Sequence, residues 1–284
     1  MTNKVTIEAP CKINLGLNIL GLENGYHLLD TVMVAVSLCD TIEVRLRNDG
    51  EIRVSFDGAT GIDPIKNSAY QAAEYVRNKF GVAQGADIKV TKRVPVAAGL
   101  GGSSCDAAGV LRAYEILLGL PITIEDAAKL GSDTAFLWAA MGKKKKGGFA
   151  ARCTGRGEVL EPFEIKPIDI VIAVSGNVNT AECYRKFDEM YPGYKDSPSD
   201  IDVLVRALGK GDMGAIARSL GNALQNPAME LEPKVRVTME LVKKTNPIAT
   251  LMSGSGASVV GLYKDKKSAD SARAMLKGKC DFVW

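Results

Sequence analysis

The run Pro95-Val96-Ala97-Ala98-Gly99-Leu100-Gly101-Gly102-Ser103-Ser104 constrains this chain more than any other segment. Before it, Ile88 and Val90 mark a short strand. After it, Ala107, Val110, Leu111, Tyr114 and Leu118 follow helical spacing, with Gly119 placed to end the helix. A tight turn with a serine cap accounts for one glycine and one serine. It does not account for three glycines and two serines within six residues. Small residues let a backbone approach a ligand closely, and the N–H groups that open a helix favour an anion. The pattern therefore predicts a phosphate-binding loop, with the Ser103 and Ser104 hydroxyls in reach of phosphate or of a magnesium ion. The loop is neither a Walker A sequence nor a G-x-G-x-x-G fingerprint, and no G-x-x-x-x-G-K-[ST] occurs anywhere in the chain, which removes the P-loop NTPase and Rossmann readings.

A length of 284 residues exceeds one average domain, so two compact lobes are expected. Disorder is excluded by a composition that is 46% hydrophobic and 24% charged. With a net charge of +3 and no basic-plus-aromatic motif, nucleic acid is not an expected partner. The run Lys143-Lys144-Lys145-Lys146 reads as a solvated loop. Six scattered cysteines without a C-x-x-C pair read as reduced thiols of a cytoplasmic protein. The longest apolar stretch, Ala135 to Met141, is too short to span a bilayer, so no membrane association is expected. His27 is the only histidine, which excludes His-rich metal sites and takes most of the weight from hydrolase readings.

From Lys12 to Ile19, apolar Ile13, Leu15, Leu17 and Ile19 alternate with Lys12, Asn14, Gly16 and Asn18. Period two predicts a half-buried strand with Lys12 and Asn14 on the same face. Val32 to Leu38 and Ile42 to Leu46 alternate likewise, and Asn48-Asp49-Gly50 suggests a hairpin into Ile52, Val54 and Phe56. Asn67 or Ser68 caps a helix carrying Ala69, Ala72, Ala73, Val76 and Phe80, while Thr123 and Asp126 form a capping box for another. Gly147, Gly148, Gly155 and Gly157 mark a passage between lobes. Beyond it come strands at Ile168–Val174, Ala249–Met252 and Ser258–Tyr263, helices at Pro233–Lys244 and Ser268–Leu276, and a final Phe282-Val283-Trp284. That is the split β-α-β-β-α-β order of ferredoxin-like folds. Ser253-Gly254-Ser255-Gly256, between two of these strands, reads by itself as a hairpin turn.

Three motifs in order, Pro10-Cys11-Lys12-Ile13-Asn14-Leu15, the Pro95 to Ala108 stretch, and Leu251-Met252-Ser253-Gly254-Ser255-Gly256, resemble those of the GHMP kinase superfamily. Asn24-Gly25-Tyr26-His27 with Asp30-Thr31, Gly131-Ser132-Asp133-Thr134-Ala135-Phe136 and Gly155-Arg156-Gly157-Glu158 narrow the resemblance. It is nearest to the members that phosphorylate the 2-hydroxyl of 4-diphosphocytidyl-2-C-methyl-D-erythritol in non-mevalonate isoprenoid biosynthesis. The resemblance covers nearly the whole chain. It implies a two-lobed α+β fold with the active site in the cleft between the lobes. An N-terminal domain of mixed sheet and helices would cover residues 1–157, and a C-terminal ferredoxin-like α/β domain residues 158–284.

The same resemblance implies ATP and Mg²⁺ as cofactors and a small cytidine-diphosphate compound as partner. It makes Asp133 the base for the acceptor hydroxyl, with Lys12 beside it. Phosphoryl transfer asks mainly for positioning and charge stabilisation, plus a carboxylate to take the proton. The nucleotide would be held by Asn67, Lys92, Pro95, Val96, Ala97, Ala98, Gly99, Leu100, Gly101, Gly102, Ser103, Ser104 and Cys105, although Asn67 could equally be only a helix cap. Tyr26 and Tyr184 would stack the cytosine, His27 and Asn14 would hydrogen-bond the substrate, and Thr180 would meet its diphosphate region. Cys105 stands where the family usually has serine, and Thr134-Ala135 replace the usual Val-Pro. The segment Met141 to Lys146 looks inserted. The alternatives are another GHMP kinase, acting on mevalonate, homoserine or a sugar, and a catalytically silent nucleotide-binding relative. Metal ligands and oligomeric state stay unassigned.

Overall fold

In the computed structural model, which describes residues 3–58, 61, 63, 65–142, 148–193 and 197–284, the alternating Lys12–Ile19 segment lies inside a 20-residue strand, β1 (Lys4–Glu23). The positive-φ pair Asn24 and Gly25 turns the chain into β2 (Tyr26–Arg47). There follow β3 (Ile52–Asp57), α1 (Ser68–Phe80), β4 (Gly85–Thr91), α2 (Gly102–Leu118), α3 (Ile124–Leu130) and α4 (Ser132–Gly142). The chain divides into two compact units, neither continuous in sequence. One holds Met1–Lys12, Ala35–Val96 and Gly101–Lys144, the other Ile13–Val34, Ala97–Leu100 and Lys145–Trp284. Strands β1 and β2 contribute to both.

In the first unit the strands run in the order β3-β4-β2-β1. This corrects the hairpin expected at Asn48-Asp49-Gly50. β4 lies between the two supposed partners, antiparallel to β2 and parallel to β3. Two interactions explain the outcome. Arg47 is bound by both Asp49 and Asp87 on β4, and Gly85 lets β4 enter where any Cβ would stand 2.0 Å from the Glu51 carbonyl oxygen. Helix α1 is capped by Asn67, whose side chain accepts from the Tyr70 N–H, and it buries Ala69, Ala72, Ala73 and Val76. It packs on α2, which buries Ala107, Ala108, Val110 and Leu111 and ends at left-handed Gly119. The capping box between Thr123 and Asp126 opens α3 as its spacing predicts.

The second unit contains β5 (Ala150–Gly155), β6 (Val159–Phe163), β7 (Asp169–Val174), α5 (Thr180–Met190), α6 (Ile201–Lys210), α7 (Met213–Ser219), β8 (Gly221–Asn222), α8 (Gln225–Leu231) and α9 (Pro233–Lys243). It ends with β9 (Ala249–Met252), β10 (Ser258–Tyr263), α10 (Lys266–Leu276) and β11 (Phe282–Val283). Its last sheet has the order β11-β7-β10-β9, all pairs antiparallel. That is the ferredoxin-like arrangement, with Val235, Met239 and Val242 of α9 and Ala269, Ala272 and Leu276 of α10 buried beside it. Residues Leu29–Val34 of β2 pair with β5, which pairs with β6, and Gly16 and Leu17 of β1 pair with β8.

The alternating β1 segment is not half-buried. Every residue from Cys11 to Ile19 is buried, the polar ones included. Asn14 donates from Nδ2 to Thr31 Oγ1 at 2.8 Å, and Asn18 exchanges hydrogen bonds with the Ser199 backbone at 2.9 and 3.0 Å. A polar face can be buried when its groups are satisfied in this way. The Lys143–Lys146 run and Gly147 lie outside the described residues. None of the six cysteines forms a disulfide. Among the described residues, no helix is long and apolar enough to cross a membrane.

Candidate active site

Lys12 and Asp133 meet. Lys12 Nζ lies 3.4 Å from Asp133 Oδ2, with the lysine side chain 6% exposed and the aspartate 29% exposed. Strand β1 delivers the lysine. Gly131, at φ 146°, breaks α3 from α4, so Asp133 projects from the first turn of α4. The carboxylate thus stays partly exposed while the lysine side chain is shielded from water.

Beside this pair, α2 begins at left-handed Gly101 (φ 70°) with no side-chain cap. A Cβ placed on Gly101 would lie 3.3 Å from Lys12 Cγ and 3.4 Å from Asp133 Oδ2. The uncapped first turn and the ion pair are therefore immediate neighbours. A helix opening in this state offers several unspent N–H groups and the positive end of its dipole to an anion. Ser103 at this opening is exposed, while its carbonyl accepts from the Ser68 hydroxyl at 2.6 Å.

The preceding stretch, Ala97 to Leu100, has another role. Ala97 and Gly99 both have positive φ, at 53° and 75°. Ser253 donates its hydroxyl to the Gly99 carbonyl at 3.2 Å and accepts from the Asn14 N–H at 3.1 Å, while the Ser258 N–H donates to the Ala98 carbonyl at 3.1 Å. The Ser253–Gly256 segment does join antiparallel strands, and it also seats the glycine loop. Asn222 supports it from β8, donating to the Met252 and Gly254 carbonyls at 2.8 Å.

Two of the expected nucleotide residues turn inward. Lys92, its side chain 4% exposed, donates to Asp40 Oδ2, to Asp106 Oδ2 at 2.8 Å and to the Gly102 carbonyl at 3.2 Å. Asp40 also accepts from the Arg93 and Val94 N–H groups. The Cys105 thiol points into the same cluster and donates to the Gly102 carbonyl at 3.0 Å. Burial, then the Asp106 and Asp40 carboxylates, hold the Cys105 thiol far above its ordinary range. Burial likewise pushes the Asp106 carboxyl up to about 7, against the pull of Lys92. For Lys92, burial opposes the charge, but Asp106 and its neighbours prevail and raise it. Asp40, Cys105 and Asp106 stand close enough to hold an ion. Their donor set argues against magnesium, because one donor is a thiol and an ammonium already occupies the centre. Asn67 is spent on its cap and on the Asp63 carbonyl, to which it donates at 2.8 Å.

In the second unit, β2 and α5 assemble the remaining candidates. His27 Nε2 lies 2.8 Å from Asp188 Oδ1, and its ring stacks on Tyr184 at 4.6 Å between centroids. Exposed Tyr26 carries the Arg156 guanidinium 4.8 Å above its ring. Arg156 is also within 3.4 Å of Glu158. Thr180, in the first turn of α5, shares a 2.9 Å hydrogen bond with Ser255. Sequence reasoning missed Asp188 and Arg156 as partners of these rings. The signal for Asp188 was present: it follows Tyr184 by four residues on one helix face.

The family model of the GHMP kinases N terminal domain matches residues 67–148, and that of the GHMP kinases C terminal matches residues 204–281. A 4-diphosphocytidyl-2-C-methyl-D-erythritol kinase of Geobacillus kaustophilus (strain HTA426) is 36% identical over 289 residues, covering 99% of this chain and 96% of the relative. One of Pelotomaculum thermopropionicum (strain DSM 13744 / JCM 10971 / SI) is 38% identical over 280 residues, covering 96% and 94%. A crystal structure of 4-(cytidine 5'-diphospho)-2C-methyl-D-erythritol kinase superposes with a TM-score of 0.81 at 29% identity, covering 99% of this chain and 97% of the other. Homoserine kinase from Cytophaga hutchinsonii ATCC 33406 shares the fold with a TM-score of 0.71 at 20% identity, covering 100% and 94%. The chain belongs to the 4-diphosphocytidyl-2-C-methyl-D-erythritol kinase family of the GHMP kinases.

Proposed function

We propose that this enzyme transfers the γ-phosphoryl group of ATP to the 2-hydroxyl of 4-diphosphocytidyl-2-C-methyl-D-erythritol, a step of non-mevalonate isoprenoid biosynthesis. The observation that carries the reading is the Lys12–Asp133 pair set against the uncapped start of α2. Asp133 takes the proton of the substrate hydroxyl as that oxygen attacks the γ-phosphorus, and the bond to the β-phosphate oxygen breaks to release ADP. Lys12 stabilises negative charge on the attacking oxygen. The opening N–H groups of α2, with Ser103 and Ser104, hold the phosphates, while Asn67 acts as the cap of α1. Mg²⁺ would come with the ATP, beside the Ser103 and Ser104 hydroxyls, and would neutralise phosphate charge there. Tyr26, His27, Tyr184, Asn14 and Thr180 receive the cytidine diphosphate end. Lys92 and Cys105 act from beneath the loop, through the backbone they support.

Asp133→Asn tests the base. Turnover should fall by about 10²–10⁴-fold while KM for ATP and for the cytidine substrate stays within a few-fold, as read in a coupled ADP-release assay. Turnover within a few-fold of the parent would remove Asp133 from that role.

A further inference from the structure

Charge is unevenly spread along this chain. Residues 233–284 hold ten lysines and arginines against four acids, a net +6, so the rest of a chain of net +3 sums to −3. All ten cations are exposed. Five of them gather at one end of the β11-β7-β10-β9 sheet. There the Ile248 N–H donates to the Leu262 carbonyl at 2.7 Å, and the Thr245 and Tyr263 hydroxyls share a 2.6 Å hydrogen bond. Lys243 and Lys244 end α9 just before this tie, while Lys264, Lys266 and Lys267 follow it and lead into α10. The acids at this end are already engaged. Glu240 pairs with Lys243 at 2.8 Å, and Asp265 accepts from the Ser268 N–H and hydroxyl, both at 2.8 Å. Among the described residues, Lys244, Lys264, Lys266 and Lys267 form no ion pair. Ile248, within the tie, is exposed beside them.

We propose that this lysine-rich end of the sheet is a docking surface for an anionic lipid bilayer. Ammonium groups crowded without counter-charge repel one another, and a polyanion laid across them relieves that repulsion. The side chains present favour lipid over other polyanions. All five cations are lysines rather than the forked arginines that grip phosphates in pairs, and among the described residues no aromatic ring is exposed here for a nucleic-acid base to stack on. Lysine is depleted at contacts between proteins. An exposed aliphatic chain among lysines suits the boundary of headgroups and acyl chains, and each lysine near an anionic surface strengthens binding about fivefold. Peripheral attachment of this kind needs no spanning helix. The Ser253–Gly256 turn lies at the opposite ends of β9 and β10, about 20 Å away along the six residues of β10. Docking at the lysine end therefore leaves that turn clear of the bilayer. It also does not depend on which hydroxyl compound the enzyme phosphorylates.

The test sediments the full chain with vesicles of phosphatidylcholine alone, or of phosphatidylcholine and phosphatidylglycerol in equal parts, at about 0.1 M and about 0.5 M salt. Binding is expected only to the mixed vesicles and only at the lower salt. The triple variant Lys244→Glu, Lys266→Glu, Lys267→Glu should weaken it by about 100-fold or more, the product of three lysines. A second triple variant, Lys129→Glu, Lys166→Glu, Lys210→Glu, makes the same charge change at exposed lysines elsewhere and should stay within a few-fold of the parent. Both variants should keep the parent's thermal unfolding midpoint, which separates lost docking from lost fold. A parent that leaves the mixed vesicles in solution would overturn the proposal, as would equal binding to phosphatidylcholine alone. Equal losses in the two variants would do the same, because net charge rather than this surface would then be responsible. Single-stranded RNA or duplex DNA that displaces the parent from the mixed vesicles and binds it more tightly at the same salt would assign the surface to nucleic acid instead.

Discussion

Lys92 carries an ammonium into a place almost without water, and two buried aspartates receive it. Two carboxylates around one lysine leave a surplus negative charge, and burial resolves it by raising Asp106 to about 7. The consequence for stability has a definite sign. Between about pH 4 and about 7 the folded chain keeps a proton on Asp106 that the unfolded chain has released, so stability is lost as pH rises through that window. Below the window both states are protonated and the loss disappears. Asp106→Asn removes the titration while keeping the shape and the Lys92–Asp40 pair. Relative to the parent, its unfolding free energy should rise from pH 4 to pH 7.5, measured by urea denaturation at both values. Parallel pH profiles for the two proteins would contradict this. None of the network was legible from sequence, because Asp40 and Asp106 carry no local mark of facing Lys92. Resemblance placed that lysine near the nucleotide, and the fold shows how it is held: beneath the first turn of α2, bound to the Gly102 carbonyl.

Helices and strands with local signals were read well from sequence. Asn67 and the Thr123–Asp126 box mark helix starts with short-range hydrogen bonds, and Gly119 ends α2 through its backbone freedom. Long-range pairing was not legible in the same way. Asn48-Asp49-Gly50 has the composition of a hairpin turn, yet Gly85 admits β4 between the strands it joins. Period two in β1 was real, but which faces are covered depends on residues as distant as Ser199 and Ser253. The glycine loop shows both kinds of constraint. At Gly99 the left-handed φ of 75° combines with a Cβ site 2.4 Å from the Ser253 carbonyl oxygen. At Gly101 the φ is 70°, but the nearest atoms are 3.3 Å away and belong to Lys12 and the site. Gly99→Ala should therefore cost folding stability, at least about 1–2 kcal/mol from the backbone alone, in thermal or urea unfolding. Gly101→Ala should cost a similar backbone penalty and also raise KM for ATP, because its methyl group would intrude where the helix opening meets Lys12 and Asp133. Equal kinetic effects of the two substitutions would contradict the separation of loop seat from phosphate site.

At the scale of the whole molecule, the proposed roles fall in two compact units. Residues of one, Lys12, Asp133 and the start of α2, are assigned the chemistry; residues of the other, from β2 and α5, are assigned the choice of substrate. The sequence boundary at residue 157 follows the chain, whereas the compact units exchange β1 and β2 segments and the Ala97–Leu100 stretch. The shared fold does not by itself decide the acceptor, since a homoserine kinase has the same architecture. That decision rests on relatives 36% and 38% identical along nearly the whole chain, and Tyr26, His27 and Tyr184 are the residues proposed to carry it. The most direct measurement supplies the purified chain with ATP and Mg²⁺ and, in parallel, 4-diphosphocytidyl-2-C-methyl-D-erythritol, mevalonate, homoserine and galactose, following phosphorylated product by mass spectrometry. Product is expected from the cytidine-linked acceptor alone; phosphorylation of any of the other three, with none of the first, would contradict the assignment.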